Sequence, residues 1–126
     1  MAEAADVAMI GCVFCEIVEG SAPAEVVFDW SNALAIIPLD PIVRGHILVL
    51  PKMHVTDFQE DPLVAGMVMQ RVAELARILA YPASNVITSL GRPAAQSIFH
   101  LHYHLIPRAT DDGLALPWYS GRGNHG

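Results

Sequence analysis

Positive charge is scarce in this 126-residue chain: seven lysines and arginines, of which Lys52 is the lone lysine, stand against 13 acidic residues. A net charge of −6 without a clustered basic stripe disfavours long polyanionic partners such as nucleic acids, though not a single small phosphate ester. Apolar runs are short. None approaches the roughly 20 residues needed to cross a bilayer. The first ten residues contain Glu3 and Asp6 but no basic residue, and the apolar stretch after Asp6 is too short for a signal-peptide core, so a cytoplasmic location is expected. Cysteine is limited to Cys12 and Cys15, which excludes a disulfide-rich scaffold and, at this spacing, suits metal ligation or redox chemistry.

What is abundant is apolar residue. A hydrophobic fraction of 53% against 16% charged fits a well-buried globular chain rather than a disordered one. The length allows one core, so residues 1–126 are expected to form a single domain, with 1–10 and 113–126 extended or mobile. Cys12 to Gly20 reads as a short helical turn with both thiols on one side, ended by Gly20 and Pro23. Glu25–Trp30 and Ala33–Leu39 are β-rich and joined by a turn-like Asp29-Trp30-Ser31-Asn32, which predicts a hairpin. His46–Pro51 follows as a third strand. Asp61-Pro62 is a helix cap and first turn, and Val64, Val68, Val72, Leu75 and Leu79 then recur at helical spacing up to Ala80. Asn85–Leu90 is expected as a fourth strand, leading through the loop 91–96 into a fifth.

That fifth strand holds three histidines in alternation, His100-Leu101-His102-Tyr103-His104. At strand period the three imidazoles share one face, while Phe99, Leu101, Tyr103 and Leu105 take the other and can enter a core. A neutral imidazole is a competent nucleophile near neutral pH: it can accept an acyl or phosphoryl group and pass it to water. A neighbouring imidazole can orient it or handle a proton. His102, with His104, His46, Gln96 and Ser97, is the group best suited to that chemistry, with neutral donors meeting the charge that builds on phosphorus oxygens. A solvated or core histidine is the ordinary fate of one such residue, but not of three at strand period beside His46 and His54. Ile36, Ile37, Leu39 and Ile42 form an apolar group near His46, either core or a base pocket.

Cys12 and Cys15 supply two thiolates of a tetrahedral zinc site, and His54 and His100 are the candidates for the other two ligands. A redox pair would want a thioredoxin-like βαβ order, which the antiparallel pattern does not offer. Plain burial of both thiols is the remaining reading.

The segment 100–106 resembles the His-φ-His-φ-His-φ-φ signature of the histidine triad proteins, a family of nucleotide-binding hydrolases and transferases. Cys12-Val13-Phe14-Cys15, Gly45-His46 with Pro51-Lys52-Met53-His54, and Ala95-Gln96-Ser97 resemble further motifs of that family, and the likeness covers residues 12–108. The resemblance implies an α+β fold with about five antiparallel strands and two helices, and a homodimer joining two sheets. It implies structural zinc on Cys12, Cys15, His54 and His100. It assigns His102 as the nucleophile toward the α-phosphorus of a purine nucleotide or nucleotidyl conjugate, with His104 and His46 in support and Gln96 and Ser97 on the phosphate. His104 stands where the galactose-1-phosphate uridylyltransferase branch has Gln, which favours a hydrolase, such as one cleaving nucleoside phosphoramidates. Pro38 stands where the family usually has a ribose-binding Asp, leaving Asp40 for the sugar. Ser89 replaces a phosphate-binding Asn, and Ala95 a Gly. A zinc-stabilised nucleotide-binding protein with little catalysis is the rival reading.

Overall fold

The computed structural model describes Met9 and residues 11–123. The expected lead-in over residues 1–10 lies, Met9 apart, outside the described residues. The chain forms α1 (Val13–Glu19), β1 (Glu25–Asp29), β2 (Ala33–Ile37), β3 (Ile47–Pro51), α2 (Pro62–Leu79), β4 (Ser84–Ile87) and β5 (Tyr103–Pro107). The five strands make one antiparallel sheet in the order β1-β2-β3-β5-β4, the α+β architecture that the sequence predicts.

Local chemistry explains the helix ends. The Cys12 sulfur accepts the Cys15 N–H and caps α1, and Gly20, at φ 87°, closes it as a left-handed residue while its N–H reaches Ile17 O. The Asp61 carboxylate accepts the Leu63 and Val64 N–H groups at 3.1 and 3.3 Å, and Pro62, lacking an N–H, starts α2 at no cost. Ala65, Val68, Val72 and Leu75 form the buried stripe of α2. Leu79 and Val64, expected in that stripe, are only partly covered.

The sheet has two differently dressed faces. Alternation sends Ala35, Ile47, Val49, Leu101, Tyr103 and Leu105 against α2. Leu34, Ile36, Leu48 and Leu50 point the other way and meet Phe14 of α1. The central strand β3 is buried at all five positions. This second face carries the histidines.

Three expectations need correction. The fifth strand starts only at Tyr103, because its pairing with β3 ends at Val49↔Tyr103 and the Leu101 N–H turns instead to Val55 O, 2.7 Å away. The fourth strand is Ser84–Ile87, not 85–90: at Thr88 the side chain replaces the ladder, its hydroxyl donating to His102 O at 2.8 Å. Of residues 113–126, expected to be extended or mobile, 113–123 fold into a closed loop and 124–126 lie outside the described residues. Gly113 N–H donates to Gly121 O, Leu116 pairs with Tyr119, and Arg108 is gripped by both Asp112 carboxylate oxygens. Trp118 stays 81% exposed on its tip.

Candidate functional site

The alternation of the three histidines survives although two of them precede the strand. His104 lies in β5 opposite Leu48, on the α1 face, and its ring stands 5.2 Å from both His102 and His46. His46 enters from the turn before β3. Hydrogen-bond partners fix the proton positions around this cluster. The Ile42 N–H donates to His46 Nδ1 at 3.1 Å, so that nitrogen carries no proton and His46 Nε2 does. His46 Nε2 lies 3.0 Å from His104 Nδ1, which must accept, leaving the His104 proton on Nε2. His102 Nδ1 donates to His100 O at 2.8 Å, so its Nε2 bears the free lone pair.

Burial keeps these rings neutral. Desolvation lowers His46 and His102 below the usual imidazole range, the latter partly offset by its bond to the His100 carbonyl. His104 is pushed down to about 4, by burial first and then by His102 and His46. A neutral imidazole with a free lone pair is the form in which histidine acts as a nucleophile.

The second cluster unites Cys12, Cys15, His54 and His100, whose ligand atoms all lie within 4.8 Å of one another. His100 Nε2 donates to Pro51 O at 2.8 Å, which leaves Nδ1 as the lone-pair nitrogen facing the thiols. The separations are 3.2 Å between His54 Nδ1 and His100 Nδ1, and 3.5, 3.2 and 3.6 Å for three sulfur–nitrogen pairs. Zinc with bonds of about 2.05 Å to nitrogen and 2.3 Å to sulfur requires tetrahedral edges of about 3.3 and 3.6 Å. The four residues therefore form a site able to hold a metal, and two imidazole nitrogens this close need a cation or a proton between them. Burial pushes the Cys15 thiol up, opposite to the lowered pKa of a redox-active Cys-x-x-Cys.

The remaining expected residues divide. Gln96 is not free to touch phosphate. Its side chain is buried, accepts from the Gly91 N–H at 2.8 Å, and donates to Thr56 O at 2.8 Å and Ile98 O at 3.2 Å, so it braces the loop. Ser97 and Ser89, exposed and half-buried, make no side-chain hydrogen bond among the described residues, which leaves both hydroxyls available. Ile36 belongs to the core with Phe14 and Leu48. Leu39 and Ile42, at 98% and 57% exposed, are instead the open apolar surface beside His46, and Asp40 is exposed on the same bend. Ala95 takes the left-handed φ of 73° that its place in the motif demands.

Three contributors are absent from the sequence reading. Phe14 presents its ring edge-on to both His100 and His102, at 5.8 and 5.1 Å. Thr88 holds the His102 carbonyl, and the Tyr81 hydroxyl donates to Gly45 O at 2.6 Å. Phe14 sits inside the Cys-x-x-Cys and was open to notice. Thr88 and Tyr81 carry no local signal, since their partners lie 14 and 36 residues away.

Fold and site together define a small α+β domain in which neutral imidazoles and a thiol–imidazole cluster able to hold a metal share one sheet face. Residues 19–111 match the HIT domain, and the chain belongs to the HIT, or histidine triad, family. It is 40% identical over 110 residues to an uncharacterised HIT-like protein of Mycobacterium tuberculosis, covering 83% of this chain and 76% of that one. It is 32% identical over 114 residues to an adenosine 5'-monophosphoramidase of Schizosaccharomyces pombe, covering 88% and 85%. A zinc-bound histidine triad family protein from Mycobacterium smegmatis matches with a TM-score of 0.72 and 40% identity over 84% of this chain and 81% of that one. Among the described residues, no helix is long and apolar enough to cross a membrane.

Proposed function

We propose that the chain is a nucleotidyl hydrolase that cleaves nucleoside phosphoramidates or related purine nucleotidyl conjugates through a covalent intermediate on His102. The observation that carries this reading is the single tautomer of His102: with Nδ1–H tied to the His100 carbonyl, Nε2 is the one nitrogen free to attack. Nε2 bonds to the α-phosphorus as the P–N bond breaks. The bond's electron pair goes to the leaving nitrogen, which departs as an amine with the proton it took from solvent. Water then adds to phosphorus, its proton passes to solvent, and the electron pair of the P–Nε2 bond returns to His102. His104 Nε2–H, held by His46, donates to phosphorus oxygens as they gain charge, and the Ser97 and Ser89 hydroxyls are the further neutral donors assigned to the phosphate. Leu39 and Ile42 offer apolar surface to the base, and Asp40 an acceptor to the sugar.

Cys12, Cys15, His54 and His100 would hold zinc, whose role there is structural: it joins α1 to the chain just before β5. A homodimer in the cytoplasm completes the proposal. Its support is the open β4 edge, where Val86 and Ile87 stand exposed beside Phe58 and Met69, and sedimentation at equilibrium tests it.

A panel of adenosine and guanosine phosphoramidates and dinucleotides tests the activity. The wild-type chain is expected to turn over at least one, and His102→Ala to lose on the order of a thousandfold or more in kcat. Unchanged turnover in that variant refutes the nucleophile. Tight binding of nucleoside monophosphate with no turnover of any panel member would leave a binding protein instead.

A further inference from the structure

Three elements converge on Gly45: the end of α2 with Tyr81, the turn into β3, and Pro107 at the end of β5. Gly45 has φ +92°, and a Cβ there would lie 2.8 Å from the Tyr81 hydroxyl and 3.2 Å from Pro107 Cγ. The missing side chain is what lets the phenol close onto the backbone, where its hydroxyl donates to Gly45 O at 2.6 Å.

The peptide unit gripped in this way is the one preceding His46. Its carbonyl end is held by Tyr81, and its N–H end, the His46 amide, donates to Val43 O at 3.2 Å. With both ends of that plane fixed, the His46 Cα is held where the ring can make both of its bonds at once, Nδ1 to the Ile42 N–H and Nε2 to His104 Nδ1. A tilt of the plane would part the ring from one partner or the other, since hydrogen bonds weaken steeply with misalignment. Then His46 would exchange tautomers, and His104 would no longer be committed to presenting its proton on Nε2.

We propose that Tyr81 is a positioning residue for the site: through the Gly45 carbonyl it locks the His46–His104 pair into the tautomer that presents His104 Nε2–H to the substrate. The inference rests on the role given to His104 under the proposed function. Tyr81 itself is only partly buried and packs on the core through its ring, which Tyr81→Phe retains. Burial also raises its pKa, so the phenol remains a donor across the neutral range.

The test compares the full-length wild type with Tyr81→Phe, using ring-nitrogen NMR of 15N-histidine protein alongside steady-state kinetics on an adenosine phosphoramidate. The expected result is that the His46 and His104 ring nitrogens move toward tautomer-averaged shifts while those of the other four histidines stay in place. In parallel kcat falls on the order of tenfold with KM within about twofold, as misplacing a transition-state donor predicts. Unmoved His46 and His104 signals, or equal movement of all six histidines, would overturn the proposal. If Tyr81→Phe does not fold, a ring-fluorinated tyrosine at that position keeps the shape and changes donor strength; a shift confined to the pair supports the proposal and its absence overturns it. Should the wild type hydrolyse no phosphoramidate, the activity reading fails, and the ring signals alone still decide the role of Tyr81.

Discussion

Replacing Gln96 with leucine should unfold the protein more readily rather than simply weaken its hold on a phosphate. Gln96 lies in a motif where its amide would be expected to face substrate, yet both ends of that amide are committed to backbone: the Gly91 N–H, Thr56 O and Ile98 O. Leucine matches glutamine closely in volume, so little cavity forms and the cost is that of three stranded backbone groups. Each is worth about 1 kcal/mol where water can partly reach it and more where it cannot, for a total of about 3 kcal/mol. For a domain of this size that corresponds to a fall in Tm of about 10 °C, read by calorimetry or circular dichroism. A second substitution sharpens the point. Gln96→Glu keeps the acceptor for Gly91 but sets a carboxylate oxygen against two carbonyls, so it should be at least as unstable at pH 7. It should recover relative to wild type near pH 4, where a protonated carboxyl can donate to one of them. A Gln96→Leu protein that melts within about 2 °C of wild type and shows only a raised KM would refute the reasoning and return Gln96 to the phosphate.

Further outcomes follow from other parts of the molecule. Chelation of metal should lower Tm by about 10 °C or more, because Cys12, Cys15, His54 and His100 tie α1 to the sheet; an unchanged melting curve counts against a structural metal. Acid should destabilise the fold through His104, whose pKa falls from 6.5 in the unfolded chain to about 4 when folded. The unfolded state then binds more protons, so stability is level above pH 6.5 and is lost as pH falls toward 4. The loss is about 2 kcal/mol after discounting for solvent access, with His46 adding in the same direction; urea melts across that range that stay level would contradict it. Tyr103→Phe removes the hydroxyl that donates to Ala65 O at 2.8 Å in the core and should cost about 1–2 kcal/mol in urea denaturation, with activity little changed.

The features legible in the sequence are those written locally. Alternation at His100–His104, the three-residue spacing of Cys12 and Cys15, and the helical recurrence of Val68, Val72 and Leu75 each follow from the geometry of one element. All three reappear in the structure. The strand ends were not legible, because what stops β5 is the competing acceptor at Val55 and what stops β4 is the Thr88 hydroxyl. Neither is a breaker residue in its own strand. The closed loop over 113–123 was hidden for a related reason. Gly113, Pro117 and Gly121 announce turns, but the bond from Gly113 to Gly121 that closes the loop joins residues too far apart for a local pattern, and the Arg108–Asp112 pair, though only four residues apart, lies in no helix whose period would reveal it. The bracing role of the Gln96 amide has no local signal either, since Thr56, whose carbonyl it binds, lies 40 residues away.

The early end of the fifth strand is what divides the work among its histidines. Had pairing with β3 continued back to His100, backbone carbonyls in that stretch would have been taken in alternation by the ladder. Because the ladder stops at Val49↔Tyr103, the His100 carbonyl is free to accept the ring N–H of His102, and the His102 carbonyl is free for Thr88. The tautomer of His102 is thus a product of missing strand. His100, released from the sheet, turns its Nε2 to the Pro51 carbonyl and its Nδ1 to the two cysteines. His104, the one member inside the ladder, is held in register with Leu48 and so meets His46 at the mouth of β3. One residue therefore links both halves of the site: the ring of His100 is part of the thiol–imidazole cluster, and its carbonyl sets which nitrogen of His102 keeps its lone pair.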